Sequence, residues 1–218
     1  MCKAVIFDMD GLMIESERVT FKWYKEYMRQ CGMDMPEEFY KTLLGQTKAE
    51  CKQKLIKTYG NDFPYEESVD WVHKKMQEEF ENDGIPIKEG LVELLKFLKE
   101  KKYKTVVATS SERKRVEFIL EKAGIRQYFN DIICGDEVEK GKPNPEIFLR
   151  ACEKVNVNPE NALVLEDSEA GIEAANVGNI NVICVPDMKF PDEKYQKMSK
   201  EICKNLLEAK IYIEQYCG

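Results

Sequence analysis

The most regular feature of the chain is a series of short, almost unbroken apolar runs set between longer mixed stretches. Residues 4–7, 105–108, 132–134, 162–165 and 182–185 are rich in Val, Ile and Ala. Runs this short and this apolar predict strands covered on both faces, as in a parallel sheet. Between most of them, apolar residues recur at helical spacing. Leu91, Leu94, Leu95 and Leu98 form one stripe, followed by lysines that suit the C-terminal end of a helix dipole. Val116, Ile119, Leu120 and Ala123 form another, closed by Gly124 at the expected C-cap. In "KPNPEIFLRACEKV", Asn144 is the expected N-cap and Pro145 the first-turn proline, with Ile147, Phe148, Ala151 and Val155 facing the sheet. Strands alternating with helices predict an α/β fold with a doubly wound, Rossmann-like parallel sheet core.

Across residues 15–84 the pattern changes. No strand signal occurs there. Val19, Trp23 and Tyr27 recur every fourth position, and Leu55 with Ile56, then Val69, Val72 and Met76, mark further amphipathic helices rich in Glu and Lys. The expected organisation is a core of residues 1–14 and 85–218, with residues 15–84 inserted as a helical cap domain on two hinges. His73, beside Trp71 and Val72, is expected to be structural or exposed.

Charge narrows the partners. Lys and Arg number 33 against 40 Asp and Glu, a net charge of −7, which argues against nucleic acid. No apolar run reaches the roughly 20 residues of a membrane span, and the N-terminus lacks the features of a secretory signal. The eight cysteines, at 2, 31, 51, 134, 152, 184, 203 and 217, include no C-x-x-C pair, and there is one histidine. Zinc-ligand spacing is therefore absent, and the cysteines are expected to be reduced thiols of a cytoplasmic protein. A monomer is the expectation for a capped core without a further module.

The carboxyl ends of the predicted strands carry the candidate chemistry, because ligands of open α/β sheets bind outside those ends. The first strand delivers Asp8 and Asp10, the second Thr109, Ser110 and Ser111, the segment after the third Lys140 and Lys142, and the fourth Glu166, Asp167 and Ser168. Asp8 and Asp10 share a strand face, although the chain must turn near Gly11. With Asp167 they make a carboxylate-rich pocket that needs a cation, and hard oxygen donors suit Mg²⁺. Lys142, the Thr109 hydroxyl and neighbouring backbone N–H groups complete a receptor for a phosphate dianion. In that setting Asp8 is the candidate nucleophile on phosphorus, and Asp10 the acid for the leaving oxygen and the base for water. Thr109 and Ser111 are also candidates to cap the following helix, and Lys140 is expected at the surface.

The stretches "FDMDG", "VVATSS", "GKPNPEIF" and "VLEDSEAGIEAA", in this order, resemble the haloacid dehalogenase-like phosphatases, in the subgroup with a helical cap after the first strand. The likeness is greatest to phosphoglycolate phosphatase-like and β-phosphoglucomutase-like proteins. The resemblance implies a Mg²⁺-dependent phosphatase acting on a small phosphorylated metabolite. It implies that Asp8 is the nucleophile and a metal ligand, Asp10 the acid/base with its carbonyl on the metal, and Thr109 and Lys142 the phosphate-side partners. Asp167 is then a metal ligand, with Glu166 holding the metal directly or through water. It also places the first strand between the second and fourth, and extends the substrate set to Gly11, Ser110, Glu15, Thr20 and Lys48. The departures weigh against a mutase. Thr20 stands where the mutases carry a histidine, and around Gly45 only Lys48, opposite Leu44, keeps a basic side chain. The other readings are a phosphomutase and a non-catalytic phospho-acceptor, the latter disfavoured by Asp10 and the long insertion.

Overall fold

A computed structural model describes residues 2–216. Strand β1 (Ala4–Phe7) leads into four helices, α1 (Ser16–Gln30), α2 (Glu37–Lys41), α3 (Lys48–Tyr59) and α4 (Tyr65–Asp83). Then follow α5 (Leu91–Glu100), β2 (Lys104–Ala108), α6 (Arg113–Lys122), β3 (Asp131–Ile133), α7 (Glu146–Lys154), β4 (Ala162–Glu166) and α8 (Glu169–Val177). The chain continues through β5 (Asn181–Cys184), α9 (Glu193–Met198), β6 (Glu201–Ile202) and α10 (Leu206–Tyr216).

The strands form one parallel sheet in the order β3-β2-β1-β4-β5-β6. Five of them stand within one residue of the predicted apolar runs. The sixth was not expected: β6 pairs only Glu201 and Ile202 with β5, too short a segment to leave an alternating pattern. Alternation across the strands sends Ala4, Ile6, Val106, Ala108, Val164, Val182 and Cys184 to one face, where they pack with Ile147, Phe148 and Ala151 of α7 and Ile172 and Ala175 of α8. Val5, Phe7, Val107, Leu165 and Ile183, from the alternate positions, are buried as well. On that side Phe7 meets Phe129 edge-on at 5.6 Å, and α5 packs against β2 and α10. Burial on both faces is why these strands read as continuous apolar runs.

Strand register sets the height at which each polar strand end emerges. Phe7 lies opposite Val107 on one side and Leu165 on the other, so three neighbouring strands end level. The next residue of each, Asp8, Ala108 and Glu166, therefore stands beside the others at the carboxyl edge.

Two compact units emerge, one running to Glu15 and resuming at Ile85, the other Ser16–Gly84. The break falls one residue later than expected. Glu15 belongs with the core because its N–H donates to the Pro86 carbonyl at 2.8 Å and Ile14 bridges Ile87. Within the helical unit, α1 packs along α4, with Trp71 against both Trp23 and Tyr27. Helix α3 opens on a reciprocal capping box between Thr47 and Glu50. His73 is exposed.

Helix α7 begins at Glu146, so Pro145 occupies the cap position and not the first turn. Asn144 still performs the capping, its Oδ1 accepting from the Glu146 N–H at 3.0 Å. Among the described residues no helix is long and apolar enough to cross a membrane. The seven described cysteines are free thiols; Cys217 lies outside the described residues. Burial pushes the Cys134 thiol up to about 12 and that of Cys152 to about 11, which keeps both uncharged and unreactive.

Candidate active site

The level strand ends are joined by one ammonium group. Lys142 Nζ donates to Asp8 Oδ1 at 2.5 Å, to Glu166 Oε1 at 2.6 Å and to the Ala108 carbonyl at 3.3 Å. Its three donors thus tie together β1, β4 and β2, and the group sits 4.8 Å from the centre of the Phe148 ring. All three charged side chains are almost wholly buried, with 6% of Lys142, 9% of Asp8 and none of Glu166 exposed. A buried charge needs close partners of opposite sign, and here one cation faces two anions. Burial opposes the charge on Lys142, yet the Asp8 and Glu166 carboxylates outweigh it and hold the ammonium above the ordinary lysine range. For Asp8 burial wins. Desolvation, aided by Glu166 and Asp10 and opposed by Lys142, lifts its carboxyl from 3.8 to about 7.

Glu166, expected to hold the metal directly or through water, has both carboxylate oxygens on protein donors. Its Oε1 accepts from Lys142, and its Oε2 accepts from the Asp167 N–H, the Ser168 N–H and the Ser168 hydroxyl at 2.8–2.9 Å. Gly171 of α8 lies so close to this carboxylate that a Cβ there would overlap it. With both oxygens engaged by protein donors, Glu166 is an anchor for Lys142 and for the first turn of α8.

Asp167 points the other way. Gly11 turns the chain after Asp10 with φ +79°, and a Cβ at that position would fall on the Asp167 carboxylate. A left-handed turn and close approach of another chain segment both require glycine there. Asp8 and Glu166 face Lys142, Asp10 faces Arg115, and the Asp167 carboxylate lies beside Gly11, four carboxylates to two cations. That excess of negative charge on hard oxygen donors fits a divalent cation. Asp8 and Asp167, with the Asp10 carbonyl, are the groups that could hold it, since both oxygens of the Asp10 carboxylate accept from Arg115 and Ser111.

Thr109 is buried at the end of β2, with its N–H on the Ile133 carbonyl and its hydroxyl oxygen accepting from the Ser111 N–H at 3.2 Å. Neither Thr109 nor Ser111 caps α6. Glu112 holds the cap position without a side-chain bond, and Asp136 Oδ1 takes the Arg113 N–H at 3.1 Å. Ser111 donates instead to Asp10 Oδ2 at 2.8 Å. Arg115, which no motif in the sequence singles out, grips the same carboxylate with Nη1 and Nη2, each at 2.7 Å. It lies in the first turn of α6, whose start follows Ser111 and the cap residue Glu112.

The remaining expected residues have local partners. Ser110 is exposed, with its carbonyl against Gly135. Glu15 pairs with Lys88 at 3.1 Å, and Lys88 also meets the buried Asp187 at 2.5 Å. Thr20 and Lys48 lie in the helical unit. The Thr20 hydroxyl donates to the Ser16 carbonyl at 2.8 Å, and Lys48 is exposed at the start of α3. Lys140 is exposed, as expected, and is held through its N–H by Glu146.

A doubly wound parallel sheet whose central strands end in a shared carboxylate–lysine cluster defines an α/β enzyme with its chemistry at the carboxyl edge. The chain belongs to the haloacid dehalogenase-like hydrolases, whose family model matches residues 5–185. It is 32% identical over 181 residues to the phosphorylated carbohydrates phosphatase of Thermotoga maritima, covering 83% of each chain. Among solved structures it resembles β-phosphoglucomutase from Clostridium difficile, with a TM-score of 0.75 at 26% identity, over 99% of this chain and 96% of that one. It also resembles CbbY from Rhodobacter sphaeroides in complex with phosphate, with a TM-score of 0.77 at 25% identity, over 95% and 96% of the two chains.

Proposed function

We propose that this protein is a Mg²⁺-dependent phosphatase that hydrolyses a small phosphorylated metabolite, a sugar-phosphate-like monoester, through an aspartyl phosphate on Asp8. The observation that carries the reading is the Lys142 bridge from Asp8 to Glu166 at the level ends of three strands. It fixes one carboxylate oxygen of the nucleophile and puts a permanent positive charge where a phosphate dianion would otherwise be repelled. A divalent cation held by Asp8, the Asp10 carbonyl and Asp167 supplies the rest of that charge compensation. In the first step an Asp8 oxygen bonds to phosphorus as the ester P–O bond breaks, and Asp10 gives the leaving oxygen its proton. In the second, Asp10 takes a proton from water as the water attacks phosphorus and frees Asp8. The Thr109 hydroxyl and the Ser110 N–H are the donors for the phosphate oxygens. The helical unit Ser16–Gly84 is the cap domain in this reading. The similarity to a phosphatase of phosphorylated carbohydrates supports the substrate class.

A second reading, a phosphomutase using the same aspartyl phosphate, is favoured by the likeness to β-phosphoglucomutase. Thr20, whose hydroxyl is turned to the Ser16 carbonyl, counts against it. Phosphate release from a panel of small esters, with and without Mg²⁺, separates the cases. The phosphatase reading requires Mg²⁺-dependent release that falls to background in Asp8→Asn. Interconversion of β-glucose 1-phosphate and glucose 6-phosphate without net phosphate release would replace it with the mutase.

A further inference from the structure

Asp10 is the group that has to meet the leaving oxygen, and it is not waiting for it. Arg115 Nη1 donates to Asp10 Oδ2 and Nη2 to Oδ1, both at 2.7 Å, so the guanidinium and the carboxylate meet as two forks. Ser111 closes the arrangement, donating to Oδ2 at 2.8 Å while accepting from Nη1 at 2.6 Å. The two charged side chains are about three-quarters buried, at 27% and 26% exposure. Paired hydrogen bonds of this kind are strong and directional. They fix the carboxylate with both oxygens turned to the guanidinium.

For Asp10 to act on a leaving group, at least one oxygen has to exchange Arg115 for the substrate. That exchange takes a paired carboxylate from a partly buried guanidinium, which is costly unless another anion fills the vacated place. We propose that the substrate brings this anion. The preferred ester carries a second negative group, a carboxylate or a second phosphate, on the alcohol it releases. Arg115 passes from Asp10 to that group as the substrate seats. Arg115 is thereby a positioning residue for Asp10 and the determinant that selects doubly anionic esters over neutral-tailed ones. The second anion is unchanged by the reaction. The bonds made and broken are those at phosphorus; Asp10, once released by the guanidinium, takes up a proton from solvent and passes it to the leaving oxygen. This inference rests on the phosphatase reading.

Binding of non-hydrolysable phosphonates to the full chain with Mg²⁺, followed by calorimetry, tests it without turnover. The probes are propylphosphonate, phosphonopropionate and propane bisphosphonate, which differ in the charge of the tail. Wild type should bind at least one of the two charged-tail probes about tenfold or more tighter than propylphosphonate, the usual size of a charge-assisted bond. Which of the two leads tells carboxylate from phosphate. Arg115→Met should bring the ratio to within about threefold, and Arg115→Lys should restore part of it. In kinetics with matching esters, Arg115→Met should raise KM for charged-tail esters selectively, whereas a merely structural role would affect every ester alike. Equal binding of the three probes by wild type, or a preference that survives in folded Arg115→Met, overturns the inference and leaves the phosphatase reading intact. Failure of all three probes to bind a folded protein that also releases no phosphate from any ester removes both.

Discussion

At the scale of single residues, the site is governed by one cation shared between two buried anions. Lys142 cannot be removed without leaving Asp8 and Glu166 facing each other uncompensated, in surroundings where neither is solvated. Lys142→Met should therefore abolish phosphatase activity and also cost about 3–5 kcal/mol of stability, the usual size of an orphaned buried charge. The double variant Lys142→Met, Glu166→Gln should be more stable than Lys142→Met alone, because it removes one of the two stranded charges. Denaturant unfolding of wild type and both variants checks this, and additive losses would contradict the shared-cation picture. Asp8, Asp10, Thr109 and Lys142 were legible in the chain because each polar group interrupts an apolar run or its flanking loop. The partners of those residues were less legible. Lys142 meets Asp8 across 134 positions and Arg115 meets Asp10 across 105, and no local spacing encodes either distance.

At the scale of elements, helix α8 shows how a packing demand can outweigh helix propensity. Gly171 lies within its first turn, where Ala would favour the helix by about 1 kcal/mol. A Cβ there would overlap the Glu166 carboxyl, a group held by Lys142, two N–H groups and a hydroxyl and so unable to swing aside. Gly171→Ala should accordingly destabilise the protein by about 1–3 kcal/mol, as overpacking does, and lower activity by disturbing Lys142. A higher melting temperature in that variant would show that the carboxylate has room to move. Five strands and the stripes of α5, α6 and α7 were evident from periodicity, because burial on one or both faces imposes it. Two features were not. Strand β6 spans two residues at the sheet edge, and the start of α6 is set by Asp136 from another loop instead of its own Ser or Thr.

At the scale of the whole molecule, the site stores negative charge that folding has to concentrate. The folded-state value of Asp8 is raised from 3.8 to about 7, so between these limits the native state binds a proton that the unfolded state has released. Stability from this group is present below about pH 4 and is lost as pH rises towards 7. The metal-free protein should lose stability across that window, while Asp8→Asn should lose less. Adding Mg²⁺ at neutral pH should raise the melting temperature of wild type, since a ligand of the native state alone stabilises it by mass action. Thermal melts of both proteins from pH 4 to 7, with chelator and with Mg²⁺, read these effects. A wild-type melting temperature indifferent to Mg²⁺ would count against a cation at this site.

The order of residues alone dictates the α/β pattern, the helical insertion after the first strand, and the four polar strand ends. All of these are local properties, set by which residues can be buried next to which others a few positions away. It took the folded arrangement to make Asp8, Ala108 and Glu166 end level, to turn Glu166 inward onto Lys142, and to give Asp10 to Arg115. Those outcomes depend on sheet register and on the competition of several carboxylates for two cations. That competition exists only once segments more than a hundred residues apart have been desolvated together.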